Sequence, residues 1–399
     1  MKPLVGLRKI IPMSEVYVID LVKDTITKED REALSEWILS DPKLTKGDLT
    51  VKFENDWSSW LGTNYSVFVN SGSSANLLMA SVLLESGKLR NKKIIVPSVS
   101  WATTVAPFIQ LGFEPIMCDC DMANLGLDVN HFERLVKEHD PSSVIIVHVL
   151  GYPNNMKKIM DICKKHDIFL LEDCCEAHGC EYDGQKVGTF GCMSSFSFYY
   201  GHHMSTIEGG MVSMNSKEFL DLSLMIRSHG WIRDLDESAK KSYIENYNLS
   251  DFEALYSFIV PGYNIRSTDL NAFLGIRQLK KLDDTIAARR KVLWLYNKNL
   301  SKKMWTQSCD LSNPSPLAFG IISDAKDNIV KNLQKNNVAC RPLICGSIAE
   351  HPFWYTRYGS DNDCKNAKSV HKNGLYIPCH QSMTYEETDF ICKIILESI

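Results

Sequence analysis

Ser66-Val-Phe-Val-Asn-Ser-Gly-Ser-Ser-Ala-Asn-Leu-Leu-Met-Ala-Ser-Val-Leu-Leu84 decides how this chain is read. A short apolar run, Ser66–Val69, is cut off by small polar residues, and a helix-like apolar segment, Ala75–Leu84, follows. Small residues at a helix start expose backbone N–H groups, and the helix dipole there favours an anion such as phosphate. The loop Asn70–Asn76 reads equally well as a tight turn with a serine cap. Outward from it, further apolar runs lie at Ile94–Val96, Pro115–Cys118, Ser143–His148 and Ile168–Leu171. Helical periods at Ala102–Leu111, His131–Glu138 and Met156–His166 separate most of them. Such alternation predicts an α/β fold with a mainly parallel sheet covered on both faces. Ligands of such sheets bind beyond the carboxyl ends of the strands.

Upstream, Thr27-Lys-Glu-Asp30 predicts a helix start, with Leu34, Trp37 and Ile38 on one face. Val51, Phe53, Trp57, Trp60 and Leu61 form a second amphipathic stretch, stopped by Gly62. Downstream of Asp269 a long helical period, Leu270–Leu300, leads into a stretch punctuated by Pro314, Pro316, Pro342, Pro352 and Pro378. This predicts a large domain over residues 1–275 and a smaller carboxyl-terminal α/β domain over residues 276–399.

The chain has 399 residues, 44 basic and 48 acidic, for a formal net charge of -4. That balance is no footprint for nucleic-acid binding. The amino-terminal stretch Met1–Asp20 has no continuous apolar region of the secretory kind. The apolar run Val144–Leu150 is far too short to span a bilayer. A cytoplasmic protein with neither membrane nor nucleic-acid partners is expected, and its thirteen cysteines should then be reduced thiols.

Three further loops carry chemical residues. In Leu170-Leu-Glu-Asp-Cys-Cys-Glu-Ala-His-Gly179 acidic groups follow an apolar strand directly. Asp173 is placed to hold a protonated ring nitrogen and Glu176 a second ligand atom, although a carboxylate cluster opening a helix has the same appearance. Ser195–Gly210 contains His202 and His203, which face opposite ways if the segment is extended and so do not suggest a metal site. Pro261-Gly-Tyr-Asn-Ile-Arg-Ser-Thr-Asp269 is a polar turn opening the long helix.

The order of these loops resembles the DegT-like sugar aminotransferases, a branch of the fold type I pyridoxal-phosphate enzymes. The likeness rests on Val51-Lys-Phe-Glu54, Val69-Asn-Ser-Gly-Ser-Ser-Ala75 and Val96-Pro-Ser-Val-Ser-Trp-Ala-Thr-Thr104. Glu172–Gly179, Phe196-Ser-Phe-Tyr199, Glu208-Gly-Gly210 and Gly262-Tyr-Asn-Ile-Arg266 continue it. It implies the aspartate-aminotransferase-like fold and a site for pyridoxal 5′-phosphate or pyridoxamine 5′-phosphate. Ser73, Ser74 and Ser197 would bind the phosphate, Trp101 would stack on the ring, Asp173 would pair with its nitrogen and Glu176 would approach its hydroxyl. Asn264 would reach the phosphate of a neighbouring subunit, which implies a homodimer with the active site at the interface.

One position departs from the aminotransferases. Where they carry a lysine, this chain has His202. Lysine forms an imine with the cofactor and imidazole cannot, so no internal aldimine is expected. Imidazole remains a base, with an ordinary pKa near 6.5. The resemblance narrows here to the 3-dehydratases of nucleotide-linked 4-keto-6-deoxy sugars, with GDP as the nucleotide and glutamate as the amino donor. Gly201–Gly210, Ser228-His-Gly-Trp-Ile-Arg-Asp234 and Cys340-Arg-Pro-Leu-Ile-Cys-Gly346 carry this narrowing. Related CDP-sugar enzymes hold an iron–sulfur cluster, but no cysteine lies between Cys192 and Cys309 where their run would fall, so no cluster is expected. Arg233 and Arg341 are candidates for the nucleotide phosphates. A sugar aminotransferase and a non-catalytic member of the fold remain as alternatives.

Overall fold

The structure, a computed structural model, describes residues 19–360 and 363–399. Most of the amino-terminal stretch read above for a leader, residues 1–18, therefore lies outside the described residues. Five strands alternate with helices: β1 (Tyr65–Val69), β2 (Lys93–Pro97), β3 (Glu114–Cys118), β4 (Ser143–Val147) and β5 (Phe169–Asp173). A short hairpin, β6 (Glu181–Tyr182) and β7 (Gln185–Lys186), leads to β8 (Met193–Ser197) and β9 (Gly210–Met214). The main sheet has the order β1-β9-β8-β5-β4-β2-β3. Only β9 runs against its neighbours, so the sheet is mixed but mostly parallel, as the alternation predicts. Helices Gly72–Glu85, Ala102–Gln110, Val129–His139 and Met156–His166 fall where the periodicity places them.

Apolar spacing explains the packing. In β8 and beyond, Phe196 and Phe198 turn one way into an aromatic core with Phe53, Trp57 and Phe68, while Ser195 and Ser197 turn the other. Helix Asp48–Leu61 supplies Phe53 and Trp57 and ends at Gly62, whose φ of 96° is left-handed. Helix Lys28–Leu39 opens on the expected Thr27–Asp30 capping box, but its apolar face is not core. Asp30 is its buried residue, while Trp37 stacks on Phe273 and Ile38 is exposed.

The single long helix expected over Leu270–Leu300 is instead two, Asp269–Leu279 and Leu282–Leu300. Arg277 and Gln278 at the end of the first helix and Lys281 at the break converge on the buried carboxylate of Asp30. After it, β10 (Ser312–Asn313) joins the β6–β7 hairpin. A second sheet, ordered β11-β13-β12, is built from β11 (Phe319–Ile322), β12 (Arg341–Pro342) and β13 (Gly374–Ile377). It packs with helices Leu282–Leu300 and Tyr385–Leu396 around a core of its own. No helix among the described residues is long and apolar enough to cross a membrane.

Candidate active site

The carboxyl ends of β4, β5 and β8 open on one cavity of about 640 Å³, a size suited to a small-molecule ligand. Asp173, the last residue of β5, is 3% exposed and lines it. Its Oδ2 accepts from Asn76 Nδ2 (2.8 Å) and Thr104 Oγ1 (2.8 Å), and its Oδ1 from the Cys175 amide (3.1 Å). Ser195 in turn donates to Asn76 Oδ1 (2.6 Å), which points the amide's donor end at the carboxylate. Asp173 is thus fixed by neutral donors, and no lysine or arginine among the described residues pairs with it. A carboxylate so held is matched to a cationic ligand atom.

Beside it, helix Gly72–Glu85 points its start at the cavity, capped by Ser71, which accepts from the Ser74 amide at 3.0 Å. Gly72 and Ser73 line the cavity with Ser197, the last residue of β8. A Cβ on Gly72 would lie 2.5 Å from the Ser197 Cβ, so only glycine leaves this space open. Ser73 donates to Thr103 Oγ1 (3.0 Å). Ser74 instead turns its hydroxyl to Ser71 and does not line the cavity. Trp101, at the start of helix Ala102–Gln110, presents a 57% exposed ring to it.

Glu176 is buried and lines the same cavity. Its Oε2 accepts from the Leu150 amide (2.7 Å), whose residue holds a left-handed φ of 53°. Burial pushes Glu176 up to about 8, with Leu150 opposing the shift and Asp173 adding to it. The folded form therefore keeps the proton longer than the unfolded chain. This group's stabilisation is complete below the ordinary carboxyl range and is lost as pH rises towards about 8. In thermal melts of cofactor-free protein, Glu176→Gln is expected to gain on the parent as pH rises from 5 to 8 (roughly the span between the two pKa values). Parallel melting curves would show that Glu176 ionises as freely in the fold as outside it.

His202 sits in the turn after β8, half-buried and lining the cavity. Its Nδ1 is buried without a partner. Burial, then the charge of Arg289, pushes it down to about 4, against the unperturbed value the sequence suggests. The imidazole is therefore neutral at pH 7. His203 turns away, is fully buried, and its Nε2 meets the Ser315 carbonyl at 3.1 Å, so the two histidines share no ligand. His148, Glu172 and Cys174 do lie within reach of one ion, but Glu172 already accepts from Gly188, Phe190 and Gly191 amides.

Arg341 on β12 lines the cavity from the second sheet. Arg233 lies outside it, stacked on Trp231 at 4.1 Å beside Asp234. Asn264 also lies outside the cavity of its own chain, exposed and bridged to the Ser228 backbone. Sequence reading missed Asn76 and Thr104 as holders of Asp173, although both fall inside quoted motifs. It also missed Leu21, Val22 and Tyr376, which reach the cavity only through packing.

These residues fit pyridoxal phosphate. The carboxylate lacks a cation, the helix start with Gly72 and Ser197 leaves a cradle, and a flat indole stands at the cavity. Fold and site define a pyridoxal-phosphate-dependent enzyme of the aspartate-aminotransferase-like class. Residues 24–396 match the DegT/DnrJ/EryC1/StrS aminotransferase family, and the chain belongs to it. It is thereby an enzyme of a pyridoxal-phosphate-dependent, sugar-modifying family.

GDP-4-keto-6-deoxy-D-mannose 3-dehydratase of Escherichia coli O55:H7 is 33% identical over 369 residues, covering 90% of this chain and 94% of that one. The solved E. coli structure of that dehydratase, with bound hydrated pyridoxal phosphate, superposes with a TM-score of 0.87. It is 30% identical and spans 95% of this chain and 100% of its own. GDP-perosamine synthase of Escherichia coli O157:H7 is 26% identical, covering 95% of this chain and 98% of that one.

Proposed function

We propose that the protein removes the C3 hydroxyl of a nucleotide-linked 4-keto-6-deoxy sugar, with GDP as the carrier and glutamate as the amino donor. The products are a 3-deoxy-4-ketosugar, 2-oxoglutarate and ammonia, on the way to a 3,6-dideoxysugar of a surface glycan such as lipopolysaccharide or capsule. The observation that carries the reading is His202 where a transaminating enzyme needs lysine; no lysine lines the cavity among the described residues. The dehydratase relatives support it as well.

When bound, the cofactor supplies an amine for the C4 ketone and a ring that accepts electrons. Asp173 would hold the ring nitrogen protonated, its own charge kept in place by Asn76 and Thr104. Ser73, Ser197 and the amides at the helix start would bind the phosphate, with Ser74 acting through the cap. Trp101 would cover one ring face, and Glu176 would face the ring hydroxyl. His202, neutral at pH 7, would take a proton from the C4′ carbon. Charged and desolvated, it would then be a strong acid, suited to protonate the departing C3 hydroxyl. Arg341, which lines the cavity, would meet the nucleotide's phosphates; Arg233, outside it, would have to do so from another copy or after rearrangement.

The proposal includes a cytoplasmic homodimer in which Asn264 reaches the partner's phosphate, supported by its exposure outside its own cavity. It keeps residues 1–275 as the cofactor domain and residues 276–399 as the small domain, and it needs no iron–sulfur cluster. Aminotransfer is the second reading, favoured by the GDP-perosamine synthase relative. Mass spectrometry after incubation with pyridoxal phosphate, glutamate and GDP-4-keto-6-deoxymannose separates them. A sugar lacking one oxygen, formed with ammonia, is expected. A sugar carrying nitrogen in place of the ketone would establish aminotransfer. An unchanged sugar with glutamate converted once per bound cofactor would point to a different substrate, such as a heptose.

A further inference from the structure

Two arginines are fully buried among the described residues, and the fold accommodates them differently. Arg227 pairs with Glu54, and Asp234 lies 3.7 Å from it. Arg289, on helix Leu282–Leu300, has no carboxylate partner among the described residues. Its guanidinium donates only to main-chain carbonyls: Leu317 (2.9 Å), Pro316 (3.3 Å), Cys379 (3.5 Å) and His202 (3.3 Å). A buried cation without an anion is costly, and an apolar side chain of similar size would avoid that cost. Stability alone therefore does not account for an arginine here.

We infer that Arg289 is a positioning residue for His202: its fork ties the turn that carries the imidazole to residues 316–317 and 379, and its unpaired charge disfavours a second positive charge on that imidazole. The inference deepens the reading of His202 as the proton carrier and rests on it. Other groups also face His202. The His178 ring lies 6.1 Å away and the Tyr199 ring 6.5 Å, with His203 adjacent in the chain. Asp173, Cys175, Glu176, Tyr200, Glu208, Arg341 and Tyr376 line the same cavity. Arg289 is the cation among them sealed from solvent, where a charge acts most strongly. His202 and His203 are both held low by burial first and Arg289 second, which agrees with that geometry.

The test uses the full chain loaded with pyridoxal phosphate and labelled in its histidines. The imidazole of His202 is followed by NMR through a pH titration and assigned by its loss in His202→Asn. In Arg289→Met its midpoint is expected to rise by about one to two units, the size of one removed charge at an intermediate dielectric. Arg289→Lys keeps the charge without the fork. It should titrate like the parent while converting cofactor with glutamate about tenfold more slowly, the effect of a displaced base. A parental conversion rate in Arg289→Lys would overturn the positioning role, even if Arg289→Met does not fold. An unmoved titration in folded Arg289→Met would overturn the electrostatic one. Neither readout involves the sugar, so a wrong sugar or reaction class leaves both interpretable.

Discussion

His202→Asn is expected to slow ammonia release in the complete reaction by about a thousandfold, within the range of a lost general acid–base. Asparagine keeps a planar polar side chain at the cavity but has no nitrogen that takes a proton at neutral pH. Cofactor binding should persist, because the contacts proposed for it come from Asp173, Ser73, Ser197 and Trp101. Absorbance of the bound cofactor and the rate of ammonia release check the two halves separately. A rate within tenfold of the parent would remove His202 from the proton path. His202→Lys sharpens the test, since an amine can bond covalently to the cofactor where imidazole cannot. Borohydride treatment should then leave cofactor mass on the protein, and dehydration should fall. Full dehydration in that variant would show that the histidine is dispensable.

Asp173→Asn carries the second large effect. The substitution keeps size and one carbonyl acceptor for Asn76 and Thr104, but it removes the charge and sets an NH2 group against the Cys175 amide. Without that charge the ring nitrogen loses the partner that keeps it protonated, and the glutamate-driven half of the reaction should slow by about a thousandfold. Cofactor-free protein should melt at or above the parental temperature, because a buried carboxylate facing no cation is relieved. Stopped-flow absorbance and calorimetry read the two effects. A large loss of melting temperature with an undiminished half-reaction would recast Asp173 as a structural carboxylate.

Of the two positions, Asp173 lies where local sequence is informative and His202 does not. The strand–loop–helix of Ser66–Leu84 reads correctly because a five-residue apolar run and a fourteen-residue helix differ in length, and the small-residue loop marks their junction. Asp173 and Ser197 are legible for a related reason: polar residues that end a buried strand of a parallel sheet stand at the edge where ligands bind. The exchange of lysine for His202 is legible only beside the family's motifs, since a histidine in an isolated turn suggests no chemistry.

Periodicity misled where tertiary demands outweighed it. Leu270–Leu300 has an unbroken helical rhythm, yet the chain divides into Asp269–Leu279 and Leu282–Leu300, with three donors beside the break on the buried Asp30, more than two hundred residues upstream. Leu34, Trp37 and Ile38 are spaced for burial, yet in the single chain their helix turns Asp30 inward.

The sequence by itself determined the fold class, the order of the strands along the chain and the residue types at the carboxyl edge, because each depends on local spacing. Only the tertiary structure decided which of these groups share a cavity. It leaves Arg233 outside the cavity and Asn264 outside that of its own chain, and it brings in Asn76, Thr104 and Arg341 from separate elements. It also decided the protonation of Glu176 and His202, since desolvation and the field of a buried Arg289 depend on distances that no local pattern records.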